Sequence, residues 1–588
     1  MSADAAPGSK LKLTRTQWLI CFIATIGFLF DIYELLMLPL IAKSALQDMA
    51  GIQPGSPEFL IWVGRLFFIP AIVGGIFGLM GGWLTDRFGR RRVLTFSILL
   101  YAFAAFCAGF CVNPWQLLFF RCLVFIGVCV EFVAAVAWLA ELFPDPVQRE
   151  KVLGYTQAFS SVGGLTVAIV NGWLATLAIQ GNLPQIGEFG LPGWGIVTGF
   201  FASILGEIPD ASESVWRFTL MSGLIPAIPL IIIRPFLPES PQWQKRKDAG
   251  KLKRPSIREL FSPQLKRTTI IATVLFALAY GAAFGSLQQM RLIIPETPQV
   301  VKRARDASKE ASAKATNDGK PAKAVKIAGI KASKGAEQKA AAKVTKVQEV
   351  GGLYGRALMA LFIVMIIARG TTSLWAFVGW TQLAVFLVLE GIAGFSGSLN
   401  EHFVRAGKGL LFGGIAGLPV GFLCLKLADA MKGGPSGKVL RLFQLPGIFI
   451  IPLTFAFLIT NSLTTAYIGM FICGFLVVGQ FTFWGNMLPK LFPVHLRGTG
   501  ESFAANIGGR LIGTSFAWIA TTIAASSLFP EEMSNSMKMA YTAAGIGAFV
   551  FIAGYIVAGM LPEPQFADHD DGNGETDVSE DNEGAVTS

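Results

Sequence analysis

Long apolar runs separated by short polar turns dominate the pattern along the chain. Six runs lie near 16–42, 59–84, 93–112, 114–143, 152–179 and 216–236. Eight more lie near 268–291, 353–369, 372–395, 409–429, 443–461, 463–491, 500–526 and 538–561. About 20 apolar residues in a helix cross the roughly 30 Å of hydrocarbon in a bilayer. The pattern therefore predicts an all-α membrane protein with up to fourteen spans.

Four polar segments interrupt or flank these runs. They are a leader at 1–15, a basic loop at 237–267, an insert at 295–350 and an acidic tail at 562–588. The insert is rich in Ala and Lys and nearly free of aromatic residues, so we expect it to be disordered or a loose helix. The tail has the composition of a disordered segment.

Composition narrows the class of protein. The chain is 53% hydrophobic and only 15% charged, whereas soluble domains are typically about 25% charged. The net charge of +11 comes from loops and the insert, with no interleaved aromatics, so we expect no nucleic-acid partner. All seven Cys lie inside apolar runs, which indicates neither disulfides nor a metal site. No Ser/His/Asp set or phosphate loop is evident, so we expect neither an enzyme nor a cofactor.

A basic motif lies between the second and third runs. It reads Gly82-x-x-x-Asp86-Arg87-x-Gly89-Arg90-Arg91, followed by Arg92. Clustered arginines beside a span mark its cytoplasmic end, and the glycines permit a tight turn. Other basic segments fall on the same side if both termini are cytoplasmic. The Lys-rich insert then lies outside, which long loops tolerate.

An internal repeat links the two halves of the chain. Leu142-Phe143-Pro144 ends the fourth run, and Leu491-Phe492-Pro493 ends the corresponding run of the second half. Each is followed by a helix with paired glycines, at 163–164 and 508–509. This repeated sequence pattern predicts two parallel structural repeats, with a substrate site between them near mid-membrane.

Charges inside the spans are the strongest candidates for chemistry. A charge at mid-helix costs about 2.5–3.5 kcal/mol on insertion scales. Asp31 and Glu34 share one face of the first span, where such a pair is suited to binding and releasing a proton. Arg121 and Glu131 lie ten residues apart on the fourth span, about 15 Å along a helix, so each must face another helix. We expect proton coupling at Asp31, Glu34 and Glu131; structural ion pairs are the alternative.

Two further sets of residues are candidates for substrate binding and gating. The substrate candidates are polar or aromatic residues inside spans: Arg121, Gln157, Asn171, Tyr280, Gln288, Gln480, Trp484 and Asn486. The cytoplasmic gate candidates are Gly82, Asp86, Arg87, Gly89, Arg90, Arg91, Glu141, Arg149, Arg497 and Glu501, with Arg510 beside them. Ion pairs among the gate residues would break and reform as the halves move. For the substrate set, helix–helix hydrogen bonding is the alternative role; for the gate set, it is plain solvated charge.

These motifs together resemble the major facilitator superfamily, in its metabolite:proton symporter and sugar-porter-like branches. Besides the basic motif, the resemblance rests on Arg121 with Glu131, Glu141-x-x-Pro144-x4-Arg149, Trp216-Arg217 and Pro238-Glu239-Ser240-Pro241-x-Trp243. It covers most of 16–291 and 409–561. It implies two six-helix halves, 16–236 and 268–561, joined by the loop at 237–267 and alternating access around a central site. Twelve core helices leave an added hydrophobic hairpin near 365–408, giving twelve to fourteen spans.

The resemblance also implies a substrate class. Phe30-Asp31-x-Tyr33-Glu34 looks like the acidic first-helix motif of the aromatic-acid, sialate and metabolite symporters. The sugar-porter features are weaker, because Gln242 stands where Arg is usual and Gln288-Gln289 lie late in their span. We therefore expect proton-coupled symport of a small organic acid, by a monomer in a bacterial inner membrane. A sugar or polyol porter, an exporter and a non-transporting sensor remain open.

Overall fold

The computed structural model describes residues 14–563 apart from several short gaps. The gaps are 55, 144–151, 153–155, 157–158, 187–190, 209–213, 226, 234–237, 250–255, 320, 368–371, 394–396, 432–436 and 494–495. Arg149 and Gln157 therefore lie outside the described residues. So do the leader, apart from 14–15, and the acidic tail, apart from 562–563. So do the side chains of Asp86, Asn486 and Arg497.

The first half is a bundle of long helices followed by shorter ones. They are α1 (Arg15–Ala50), α2 (Pro57–Phe88), α3 (Arg90–Ala108), α4 (Pro114–Leu142), α5 (Ser160–Ile179), α6 (Trp194–Leu205), α7 (Ser214–Met221) and α8 (Ala227–Ile233). Thr14, Ser56 and Asn113 cap the first turns of α1, α2 and α4, so each begins at a polar side chain. A short helix, α9 (Pro241–Asp248), follows in the central loop.

The second half contains longer and more interrupted helices. They are α10 (Lys266–Glu296), α11 (Pro298–Asn317), α12 (Ala322–Ile367), α13 (Thr372–Ala393), α14 (Leu399–Met431), α15 (Gly437–Asn461), α16 (Leu463–Met487), α17 (497–525) and α18 (Asn535–Ala558). π-Helical turns interrupt α10 at Ala282–Ser286, α15 at Thr454–Leu458 and α17 at Phe503–Gly513. Such turns often lie at functional sites. The described chain is thus a multi-pass helical membrane protein.

The two halves pack with matching close approaches. Gly163 of α5 lies against the backbone of Leu29 in α1, and Gly508 of α17 lies against the backbone of Thr273 in α10. In each case a Cβ would collide with a carbonyl oxygen, so only glycine allows the contact. The halves meet along α5 with α12 and along α2 with α17. We call the end that carries Arg87–Arg92 the arginine end, and the end with the α1–α2 turn the distal end.

The described residues of the insert are helical, so of the two alternatives expected for 295–350, disorder or a loose helix, disorder is excluded. It forms a hairpin of α11 and the first part of α12, which then continues into the bundle beside α5 and α16. Ala304, Ala315 and Ala332 are buried in the hairpin, and Gly329 lets its helices approach closely. Ala and Lys are strong helix formers, and here small residues pack between the helices while the described Lys of α11 and of the first turns of α12 are exposed. The low-complexity composition therefore encodes a helix pair.

The added hydrophobic hairpin is present, as α13 and α14, displaced from the expected 365–408. Gly409, Gly413, Gly417 and Gly421 form a buried stripe of α14 that lies against α13. Glycines at every fourth position let membrane helices pack at short distance. The opposite face of α14 exposes large apolar side chains such as Phe412, which suits contact with lipid. This pair lies outside the two matching six-helix sets.

Candidate functional site

A cavity lies between the two halves, and its roughly 800 Å³ of empty space includes open solvent. Its wall draws on α1, α4 and α5 from the first half and on α10, α12, α16 and α17 from the second. Six aromatic side chains line it: Phe28, Phe132, Phe276, Tyr280, Phe481 and Trp484. Its charged residues are Asp31, Arg356, Glu501 and Arg510. The shape suits a small ligand that presents an apolar ring and an ionic group.

Asp31 and Arg510 form an ion pair across this cavity. Arg510 Nη2 lies 3.8 Å from Asp31 Oδ2, and both side chains are at least 96% buried. The pair joins α1 of the first half to the π-helical part of α17 in the second. Arg510 therefore belongs to the cavity, whereas its position near Arg497 had placed it with the gate. Arg510 Nη1 has no hydrogen-bond partner among the described residues, so the guanidinium retains capacity for a ligand.

Glu131 lies behind this pair. Its carboxyl interacts with Asp31 and with the charge of Arg510, and it is fully buried. Gly27 of α1 makes room for it, because a Cβ there would collide with a Glu131 carboxyl oxygen. The structure therefore brings together two of the three carboxylates that the sequence nominated for proton coupling.

Glu34 and Arg121 form a separate buried set inside the first half. Arg121 Nη1 donates to the backbone carbonyl of Glu34 at 3.1 Å, and the two side-chain charges attract each other. Arg121 also lies over the ring of Phe125, with Cζ 5.2 Å from the centroid. Neither Arg121 nor Glu34 lines the cavity. Their arrangement joins α1 to α4 and stands apart from the ligand space.

The polar and aromatic candidates for substrate binding also divide into residues that line the cavity and residues that do not. Tyr280 and Trp484 line the cavity, and the buried Trp484 Nε1 has no partner among the described residues. Asn171 instead donates to Thr219 Oγ1 at 3.1 Å, which joins α5 to α7. Gln480 donates to the Leu476 carbonyl at 2.9 Å and faces a second, smaller pocket. Gln288 is buried but does not line the cavity.

Sequence reasoning missed Arg356. This residue lies on α12, contacts Ser160 Oγ of α5, and has Cζ 5.9 Å from the centroid of the Phe481 ring. The signal that could have found it is a buried-helix pattern continuing through 338–362, where most positions are buried.

The gate candidates near the arginine end form a network within the first half. Arg90 Nη2 lies 2.8 Å from Glu141 Oε1, which ties the start of α3 to the end of α4. Gly89 has φ +94°, a conformation that favours glycine. Glu239 accepts from the backbone N–H of Arg91 at 3.1 Å, so the network includes the central loop.

The other gate candidates lie apart from this network. Arg87 lies over the ring of Trp83, with Cζ 5.2 Å from the centroid. Gly82 has open space beside it. Glu501 lies on the cavity wall.

Comparisons with known proteins agree with this architecture. A family model described as Major Facilitator Superfamily matches residues 18–180. The chain is 27% identical over 213 residues to the probable 4-methylmuconolactone transporter of Cupriavidus pinatubonensis, covering 36% of this chain and 42% of that protein. It is 25% identical over 288 residues to the niacin transporter NiaP of Acinetobacter baylyi, covering 47% and 58% respectively. The matches span about half the length of these relatives.

Solved structures extend the likeness in fold to nearly the whole chain. A crystal structure of a D-xylose-proton symporter superimposes with a TM-score of 0.52 at 15% identity, covering 94% of this chain and 99% of that one. The xylose transporter XylE from E. coli, in a partially occluded inward-open conformation, gives a TM-score of 0.50 at 15% identity with the same coverage. The family match over residues 18–180, the transporter relatives and the shared fold together support a likeness to the major facilitator superfamily.

Proposed function

We propose that the protein is a secondary transporter that carries a small organic acid together with a proton. The observation that carries this proposal is the Asp31–Arg510 pair on the wall of an aromatic cavity between the halves. While Asp31 is charged, it occupies the guanidinium that a substrate carboxylate would bind. A proton on Asp31 releases Arg510 for the substrate, so proton and anion enter the site together.

The charges of the cavity support this coupling. Asp31, Glu501, Arg356 and Arg510, the charged residues of the cavity wall, carry no net charge together when these four are ionised and Glu131 behind them is neutral. Protonation of Asp31 leaves one positive charge in excess, which one substrate carboxylate balances. Since buried charges without compensation are costly, the cavity favours either the paired empty state or the state with proton and anion both bound. The six aromatic rings favour a planar apolar body on the acid.

The relatives include transporters named for acids and transporters named for sugars, so the choice between the two rests on the cavity. One is named as a niacin transporter, and niacin is an aromatic carboxylate. Another is named as an arabinose-proton symporter, which keeps a sugar porter as the second candidate. Sugar hydroxyls need amide and hydroxyl partners, yet Asn171, Gln288 and Gln480 lie outside the cavity wall. Of the described side chains on that wall, few are uncharged and polar.

Transport in proteoliposomes tests the proposal. An imposed pH gradient is combined with a panel of carboxylates, beginning with niacin, and of sugars and polyols. We expect uphill accumulation of a carboxylate by the wild type. Asp31→Asn should abolish accumulation while substrate exchange persists, and Asp306→Asn on the exposed face of α11 should leave accumulation unchanged. Accumulation of sugars alone would favour the porter. An unaltered gradient dependence in Asp31→Asn would contradict coupling at this residue.

We also propose that both termini face the cytoplasm of a bacterial cell. The arginine end carries Arg87, Arg90, Arg91 and Arg92 in a short turn, where positive charge marks the cytoplasmic side. The hairpin of α11 and α12 then projects from the opposite face. Protease accessibility of a tag at 318–321 in intact cells, compared with a tag at the C-terminus, tests this orientation.

A further inference from the structure

A second buried charge cluster lies behind the cavity wall, on the helix that continues from the insert. Glu349 of α12 is 3% exposed. Its Oε1 lies 3.9 Å from Arg291 Nη2 and accepts a hydrogen bond from Gln348 Nε2 at 2.9 Å. Arg291 is equally buried and donates from Nε to Thr345 Oγ1 at 3.2 Å. The proposed coupling mechanism makes no use of this cluster.

Glu349 also interacts with a residue that lines the cavity. Arg356 follows it by seven residues on the same helix, about 10 Å further along the axis and on nearly the same face. The Arg356 guanidinium reaches the cavity wall, where it contacts Ser160 and Phe481. The charge of Glu349 attracts Arg291 on one side and Arg356 on the other. Glu349 is therefore the counter-charge shared by one guanidinium inside the wall and one behind it.

The helix of the first half that faces Glu349, α5, contributes no compensating charge. Gly164 of α5 faces it so closely that a Cβ would collide with the carboxyl oxygens. The α5 sequence from Ser160 to Ile179 contains no charged residue. Lys346, one turn earlier on α12, lies beside Gly172 instead. The local electrostatics thus depend on Glu349, Arg291 and Arg356.

We propose that Glu349 is the residue that sets the charge selectivity of the site, matching it to substrates with a single carboxylate. This inference rests on the proposed transport of organic acids. With a proton on Asp31, the cavity wall carries one excess positive charge, while Arg291 and Glu349 behind it balance each other. Removal of the Glu349 charge raises the excess to two, which suits a dicarboxylate. Glu349 acts through Arg356 and is a positioning residue rather than a ligand of the substrate.

The test measures the ratio of dicarboxylate uptake to monocarboxylate uptake rather than a single uptake rate. Uptake of monocarboxylates and dicarboxylates of matched size is compared in proteoliposomes for the wild type, Glu349→Gln and Arg291→Gln. We expect Glu349→Gln to shift the ratio towards dicarboxylates by about tenfold, the effect of one unit charge about 10 Å away at an effective dielectric constant near 20. Arg291→Gln should shift it in the opposite direction. A merely structural role would lower both rates without moving the ratio.

Three further variants keep the outcome decisive. Glu349→Asp keeps the charge and should keep the wild-type ratio. The double variant Glu349→Gln with Arg291→Gln removes both charges, so it should restore the wild-type ratio and avoids leaving one buried charge uncompensated. Glu310→Gln, on the exposed face of α11, is the matched control.

The outcomes separate this inference from the proposed function. An unchanged ratio in Glu349→Gln, or in Arg291→Gln if the first variant does not fold, overturns the inference while carboxylate transport stands. Absence of carboxylate uptake by the wild type overturns both.

Discussion

Loss of the Asp31 charge should uncouple substrate binding from pH. The Asp31–Arg510 separation of 3.8 Å corresponds to an attraction of about 4 kcal/mol at an effective dielectric constant near 20. A substrate carboxylate must overcome this attraction or arrive with a proton on Asp31. Wild-type affinity should therefore weaken as pH rises, by up to about tenfold per pH unit where one proton is taken up per anion.

Asp31→Asn removes both the competitor and the proton site. We expect the dissociation constant of the variant to be nearly independent of pH. At alkaline pH its binding should be tighter than that of the wild type, by a factor of up to about a thousand for 4 kcal/mol. The factor is an upper bound because Glu131 remains near Arg510 and takes over part of the pairing. The double variant with Glu131→Gln should remove the residual pH dependence.

Equilibrium binding of radiolabelled niacin to purified protein, measured from about pH 5 to about pH 9, provides the assay for this linkage. Asp306→Asn is the control for loss of a carboxylate as such. Arg510→Gln should abolish carboxylate binding at every pH. The reasoning would be refuted if niacin binding by the Asp31→Asn variant depended on pH as steeply as wild-type binding. It would also be refuted if Arg510→Gln bound niacin with wild-type affinity.

Four other substitutions test the surrounding structure. Lys43→Ala and Glu337→Ala each remove a 2.8 Å ion pair between α1 and α12 that is about one-fifth exposed, so each should lower thermal stability by less than about 1 kcal/mol; a larger loss of stability would contradict this expectation. Gly413→Leu should separate α14 from α13, lower thermal stability by about 1–3 kcal/mol and leave uptake intact; loss of uptake would show that the pair is not peripheral. Arg217→Gln removes the ion pair with Asp48 and the bonds to two backbone carbonyls, so thermal unfolding should show a loss of about 3–5 kcal/mol, with stability unchanged as the contrary result.

Much of the architecture could be predicted from the sequence because bilayer thickness fixes the length of an apolar helix. The runs up to 291 coincide with helices of the first half and α10. The insert could not be predicted, since its Ala and Lys content fits a solvated helix as well as a packed hairpin. Burial of Ala304 and Ala332 depends on a partner helix that lies close in space. Tertiary packing decided the structure there.

The candidate site was partly predictable for a similar reason. Asp31 stands out as a charge inside a long apolar run, and the structure places it on the cavity wall. Arg510 follows the loop charges so closely that sequence proximity suggested a gate, whereas α17 carries it into the bundle. Arg356 and Glu349 escaped notice because the boundary of the insert was drawn through their helix. Charges near an apparent boundary are ambiguous until the helix ends are known.

Because α12 is one continuous helix, it connects the cavity wall rigidly to the tip of the hairpin. The helix has 46 residues, so about 50 Å separate Arg356 from the hairpin tip at 1.5 Å per residue. If the halves rock, a tilt of about 10° at the cavity would displace the tip by about 9 Å. A spectroscopic label at the tip would then register, from outside the bilayer, a movement that begins at a guanidinium buried within it. Such a tilt would make the tip of the insert the part of the protein that moves furthest when the binding site rearranges.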